Sequence, residues 1–128
     1  MKLNPDCIRD ILIYIEEHCD LLTMVEISPT ELPVQLSAYK PNEVMYHIKQ
    51  CELSGMFGEK VSWYMSGNCI IRYLSPAGHQ FLSDIRSDNT WNKTKQIAEN
   101  VGVNAIDTLK QIAAGVITAL IQSQLGQL

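Results

Sequence analysis

A mainly helical α+β fold is predicted for this chain of 128 residues, and three observations predict it. A helix is expected from Pro41 to about Ser54, stopping at Gly55. Period-two alternation then runs on both sides of Ser66-Gly67-Asn68, which signals a two-stranded hairpin. Leu74-Ser75-Pro76-Ala77-Gly78-His79-Gln80-Phe81-Leu82 closes the second strand and opens another helix, with Ser75 as its cap and Pro76 at its first position. A helix followed at once by a two-stranded wing and a further helix is the working half of a winged-helix domain. The expected architecture is a winged-helix domain over residues 1–100, with an N-terminal helix ahead of it and extra helices behind. A separate amphipathic helix is expected over 101–128.

Composition limits what this fold can serve. Apolar residues make up 46% and charged residues 19%, the balance of a globular chain. The net charge is −4. Phosphate neutralisation supplies most of the affinity of a dedicated nucleic-acid binder, so an acidic balance weighs against strong non-specific DNA binding. It leaves room for a local basic face. Four cysteines, Cys7, Cys19, Cys51 and Cys69, stand singly with no CxxC pair. Asp6 and Asp10 fall where a signal peptide would need apolar residues. A reducing, cytoplasmic setting with reduced, buried thiols is expected. No apolar run approaches the length of about 18 residues needed to span a membrane.

The elements follow in order. Residues 4–19 read as a helix with Asn4 as N-cap, Pro5 at its first position, and Ile8, Ile11, Leu12 and Ile15 as its buried stripe. In residues 20–40, Met24-Val25-Glu26-Ile27 reads as a short strand. Pro29 and Pro33 break anything longer, so Thr30 to Ala38 has room only for a degenerate helix with Pro33 in its first turn. In the helix from Pro41, Val44, Ile48, Cys51 and Gly55 fall on one side and should meet Ile8, Leu12 and Ile15. Asn42, Glu43, Tyr46, Lys49, Gln50 and Leu53 fall on the other. On the hairpin, Val61, Trp63 and Met65 alternate with Lys60, Ser62 and Tyr64, and Cys69, Ile71 and Tyr73 alternate with Ile70, Arg72 and Leu74. Gly78, Phe81, Leu82 and Ile85 form the stripe of the next helix. Asn89 to Asn100 reads as a helix carrying Trp91, Ile97 and Ala98, and Val101-Gly102-Val103 as a turn. Asn104 and Asp107 are placed for a capping box at the start of the last helix.

These residues resemble a family of small bacterial and phage proteins, grouped as a domain of unknown function and predicted to be winged-helix. Two motifs carry the resemblance. The first is Tyr46-His47-Ile48-Lys49 on a helix ending near Gly55. The second is Leu74-Ser75, Gly78-His79, Phe81-Leu82 and Ile85-Arg86, followed by Asp88 and Trp91. The chain departs from the family at Gln50-Cys51, where two leucines are usual. The resemblance implies the fold, a phage or mobile-element origin and DNA binding; a small regulator of phage or mobile-element genes is the expected role. It implies no reaction.

The candidate sites are weighed on chemistry. Asn42 and Gln50 can pair with adenine, Tyr46 and Lys49 share their face, and Lys60 and Arg72 on the wing can reach phosphates. Those six residues are the expected interface with double-stranded DNA. Glu43 and Glu52 on the same helix dilute it. A non-catalytic protein-interaction module of the same fold is the alternative. His47 and Cys51 are four apart on one helix, a zinc-ligand spacing, but no second ligand pair accompanies them and no metal site is expected. No oxyanion hole, phosphate loop or carboxylate pair can be placed, so neither an enzyme nor a cofactor is expected. His79 is expected to be buried and to hydrogen-bond the wing or the segment 20–40. From Gln111 to Leu128 the tail carries no charge. Its stripe of Ile106, Leu109, Ala113, Val116 and Leu120 is expected to form a homodimer contact, widened by Ile112, Ile117, Ile121 and Leu125.

Overall fold

The computed structural model describes residues 1–127; Leu128, the last residue of the expected tail element, lies outside the described residues. The fold is α+β and mostly helical: α1 (Pro5–His18), β1 (Val25–Ile27), a 3-10 turn (Val34–Leu36), α2 (Pro41–Leu53), β2 (Ser62–Trp63), β3 (Cys69–Ile71), α3 (Pro76–Ile85), α4 (Asp88–Val101) and α5 (Ile106–Gly126). Two compact units are present, Met1–His79 and a second beginning at Gln80. The division falls ahead of the expected boundary at 100/101, because α4 packs on α5.

In the first unit, α1 starts at Asn4, whose side-chain oxygen accepts from the backbone N–H groups of Asp6 and Cys7. Those donors have no partner within the helix, so the cap fixes where it begins. Cys7, Ile8, Ile11, Leu12 and Ile15 are buried along one stripe. α1 packs on α2, which buries Val44, His47, Ile48 and Cys51. Gly55 is not part of that stripe. It is exposed at φ +75° and ends α2. Its N–H donates to Glu52 O, and the Met56 N–H donates to Cys51 O, the paired bonds of a Schellman stop. The short 3-10 turn occupies the expected degenerate position, with Pro33 capping it. Tyr39 Oη holds that segment to α1 by donating to Asp10 Oδ2 at 2.6 Å.

The sheet has three antiparallel strands in the order β1-β3-β2. Ile27 pairs with Cys69 and Val25 with Ile71, and Ile27, Cys69 and Ile71 are all buried. The hairpin alternation departs from expectation at two places. Met65 lies in the turn and is fully exposed, and Trp63 stays 36% exposed, so Val61 alone of its set is buried. Leu74, in the set that alternates with Cys69 and Ile71, is buried as they are, because the strand ends at Ile71 and Leu74 instead bridges Phe57.

In the second unit, Ser87 caps α4 by accepting from the Thr90 N–H, and Gly102 ends it at φ +80°. Thr90, Trp91, Thr94 and Ala98 are buried on α4, while Ile97 is exposed. The expected capping box of Asn104 and Asp107 does not form. α5 begins one residue later than expected, with Ala105 at the cap and no side-chain cap bond. Among the described residues no helix is long and apolar enough to cross a membrane.

Candidate nucleic-acid interface on α2 and the hairpin

Glu52 is the residue on which this face is built. Its carboxylate accepts from the Val61 backbone N–H at 2.7 Å and the Trp63 indole N–H at 3.1 Å, which ties the hairpin to α2. It also accepts from Lys49 Nζ at 2.9 Å, and the same ammonium lies 5.5 Å from the Trp63 ring centroid. Burial alone would raise the Glu52 carboxyl. The bonds from Lys49, Trp63 and Val61 outweigh that and hold it below the ordinary glutamate value. Sequence reasoning counted Glu52 only as a charge against DNA. No periodicity marks a side chain that leaves its own helix to cap a neighbouring strand.

All six expected contact residues are exposed or half-buried, Gln50 and Arg72 being the half-buried two. Asn42 and Tyr46 are exposed, Gln50 is half-buried, and the three lie along one line of α2 at four-residue spacing. Lys60 is exposed at the base of the hairpin. The Arg72 guanidinium donates to Lys60 O at 3.0 Å and Ser62 Oγ at 3.1 Å, and its Nε is 3.5 Å from Glu59 Oε2. Lys49 and Arg72 are therefore both paired to carboxylates of their own chain. Beside them stands an apolar edge: Leu53 on α2 is 69% exposed, and Tyr64 and Met65 on the hairpin are exposed with it.

The two sequence motifs have structural roles. His47 is fully buried. Its Nε2 accepts from the Asn4 N–H at 2.8 Å, and its Nδ1 lies 2.7 Å from Glu43 O. The acceptor role of Nε2 places the ring proton on Nδ1, so Nδ1–H donates to Glu43 O. Both nitrogens are occupied, and the ring locks the start of α1 onto α2. Its spacing from Val44 and Cys51 already puts it on the apolar side of the wheel. Ser75 Oγ accepts from the Gly78 N–H at 3.0 Å and donates to Gly55 O. The Ser75 N–H donates to Met56 O at 2.9 Å. A Cβ on Gly78 would sit 2.2 Å from that same Met56 O, so the α3 start and the α2 stop close on each other only if position 78 lacks a side chain. His79 was expected to be buried and is exposed instead, with Nδ1 3.9 Å from Glu16 Oε2, because it points away from the side on which Gly78 packs.

Three of the four thiols, Cys7, Cys51 and Cys69, are buried. Burial pushes Cys7 and Cys69 up to about 12 and raises Cys51 as well. A thiol so raised stays protonated at neutral pH. Among the described residues no group of three or more His, Cys, Asp or Glu side chains is placed to hold a metal ion.

The expected oligomerisation stripe lies elsewhere than on an outer face. Ile106, Leu109, Ala113 and Val116 are buried within the chain and Leu120 is half-buried, because this stripe is the side of α5 that meets its own α4.

Comparison with known proteins shows the family. An uncharacterised protein of Haemophilus influenzae is 30% identical over 125 residues, covering 94% of this chain and 99% of its own length. No solved structure matches. The model of the family described as "Hypothetical protein (DUF2513)" matches residues 2–104, from ahead of the Asn4 cap to the turn before α5. With both motifs inside that span, the chain belongs to the DUF2513 family.

Proposed function

We propose that residues 1–79 form the core of a winged-helix module that binds double-stranded DNA as a small regulator, with α2 in the major groove and the hairpin against the backbone. The order helix, strand, short turn, helix, hairpin, with β3 central, is the arrangement such a module requires. The observation that carries the reading is the line Asn42, Tyr46, Gln50. Their side-chain amides and hydroxyl make no hydrogen bond among the described residues, and Asn and Gln match the edge of adenine. The pairing of Lys49 and Arg72 to Glu52 and Glu59 does not block phosphate contact, since the Lys49 side chain stays 48% exposed above a largely buried Glu52 and Glu59 is 51% exposed beside Arg72. It does limit affinity. With Lys40, Lys49, Lys60 and Arg72 as the cations of this face, the slope of log K against log salt is no steeper than about −3.6. Titration of duplex DNA at low salt tests this. Binding at micromolar protein, weakened by Lys49→Ala with Arg72→Ala, is expected. No binding, or binding indifferent to that pair, overturns it.

A protein-binding module of the same fold is the second reading, favoured by the exposed Leu53, Trp63, Tyr64 and Met65 beside two neutralised cations. Aromatic side chains and Met are enriched in protein interfaces. It predicts no DNA shift, and capture of a host protein that is lost in Tyr64→Ser with Met65→Ser.

A further inference from the structure

An apolar groove of about 710 Å³ runs along the α4–α5 hairpin, with Ile97 on one wall, Ile112 and Leu120 on the other, and Gly115 and Ala119 between them. We propose that this groove is the docking face for a second copy of the same hairpin, so that two chains close a four-helix bundle through α4 and α5. The groove shares Val116 and Leu120 with the stripe expected from the sequence, while Ile106, Leu109 and Ala113 of that stripe are buried within the chain. The inference does not depend on what the N-terminal unit binds.

Four observations select this occupant. A pair of helices buries one stripe each and cannot enclose a core; a second layer must cover the rest. Here the inner stripe is satisfied and the groove beside it is not: Ile97 is 41% exposed. The charge pattern then excludes other partners. From Gln111 to Gln127 α5 has no charged residue, and Lys93 is the charged side chain at the groove's edge. A nucleic acid or an acidic peptide would find Lys93 alone as a counter-charge there, and a basic peptide would find none. A membrane-surface helix normally carries basic residues on its polar face, and α5 carries none after Lys110. An equally uncharged helix leaves no buried charge unpaired, and each copy of the chain supplies one. The third observation is shape. A Cβ at Gly115 would meet nothing within 4 Å, so the floor is open, and Gly115 with Ala119 one turn on lets a helix approach closely. The fourth is length. α5 has 21 residues and α4 has 14, so about two turns of α5 run past the end of its partner, carrying Ile121 and Leu125 at 53% and 62% exposure. A two-fold pairing gives those turns a second helix to lie on.

Light scattering on the full chain after size exclusion, over a micromolar to tens-of-micromolar series, tests this. Twice the chain mass is expected for the wild type. Gly115→Glu and Ala119→Glu each place a carboxylate in the groove and should weaken dimerisation at least tenfold, leaving the mass of one chain. Gln111→Glu adds the same charge off the groove and should stay dimeric. Helical circular dichroism of each variant checks that it folds, and two positions keep the test open if one does not. A monomeric wild type at every concentration overturns the proposal. So does a dimer that survives both groove variants.

Discussion

A methyl group on Gly78 would be driven against the Met56 carbonyl, whereas one on Glu52 or His47 is not the issue; there the chemistry of the side chain decides. Gly78→Ala should destabilise the chain by about 1–3 kcal/mol, the usual cost of forcing atoms into a closed contact, read as a lower urea midpoint. His47→Ala strips the Asn4 N–H and Glu43 O of their shared partner in a buried place. A loss of about 1–3 kcal/mol is expected from the unsatisfied group alone, with fraying of the first turn of α1 seen by hydrogen exchange. For Glu52 the sign follows from its depressed carboxyl. A carboxylate whose folded value lies below its unfolded value stabilises the fold above the unfolded value, and that contribution is lost as pH falls through the folded one. The window is thus below the ordinary glutamate value of 4.5. Wild type should lose stability relative to Glu52→Gln as pH falls there, while Glu52→Gln should be the less stable of the two at neutral pH. Parallel stability–pH curves for the two would refute the role given to Glu52.

At the scale of elements, the contrast between α3 and α5 is instructive. Both contain an interior glycine, but within one chain only the one in α3 is there for a close approach. Gly115 sits mid-helix in open space, where glycine is disfavoured by about 0.5–1 kcal/mol against alanine. Gly115→Ala should therefore raise the thermal midpoint of the monomer, the opposite sign to Gly78→Ala. The hairpin shows a different balance. Its strands β2 and β3 are two and three residues long, too short to hold register alone. Register comes from β1 on one side and from Glu52 on the other, so hydrogen exchange at Val61 should speed up in Glu52→Gln before exchange in α1 changes.

For the molecule as a whole, charge is the organising quantity. The sequence pI is about 5.2, so the net charge passes through zero close to that pH. With an uncharged tail and an exposed apolar edge on the hairpin, repulsion between chains is then at its weakest. Light scattering should show a solubility minimum near that pH, relieved on raising pH toward neutrality. A minimum elsewhere would mean that local patches, not net charge, control association.

Much of this was legible before any coordinates. The Asn4 cap, the Pro41 start, the Gly55 stop and the Ser75 cap are local: each depends on residues within one turn, and the backbone groups they satisfy are fixed by chain geometry. The buried stripes of α1, α2 and α3 follow from helical spacing in the same way. Three matters were decided only by tertiary structure. Glu52 became the link between helix and hairpin because its neighbours across the fold, Val61 and Trp63, lie nine and eleven residues away. Gly78 is required by Met56, which no spacing rule pairs with it. The stripe of α5 was read correctly as apolar and assigned to a partner chain, yet it meets α4. Periodicity specifies that a helix face must be covered; which surface covers it depends on where the chain turns back, and that is a property of the folded chain.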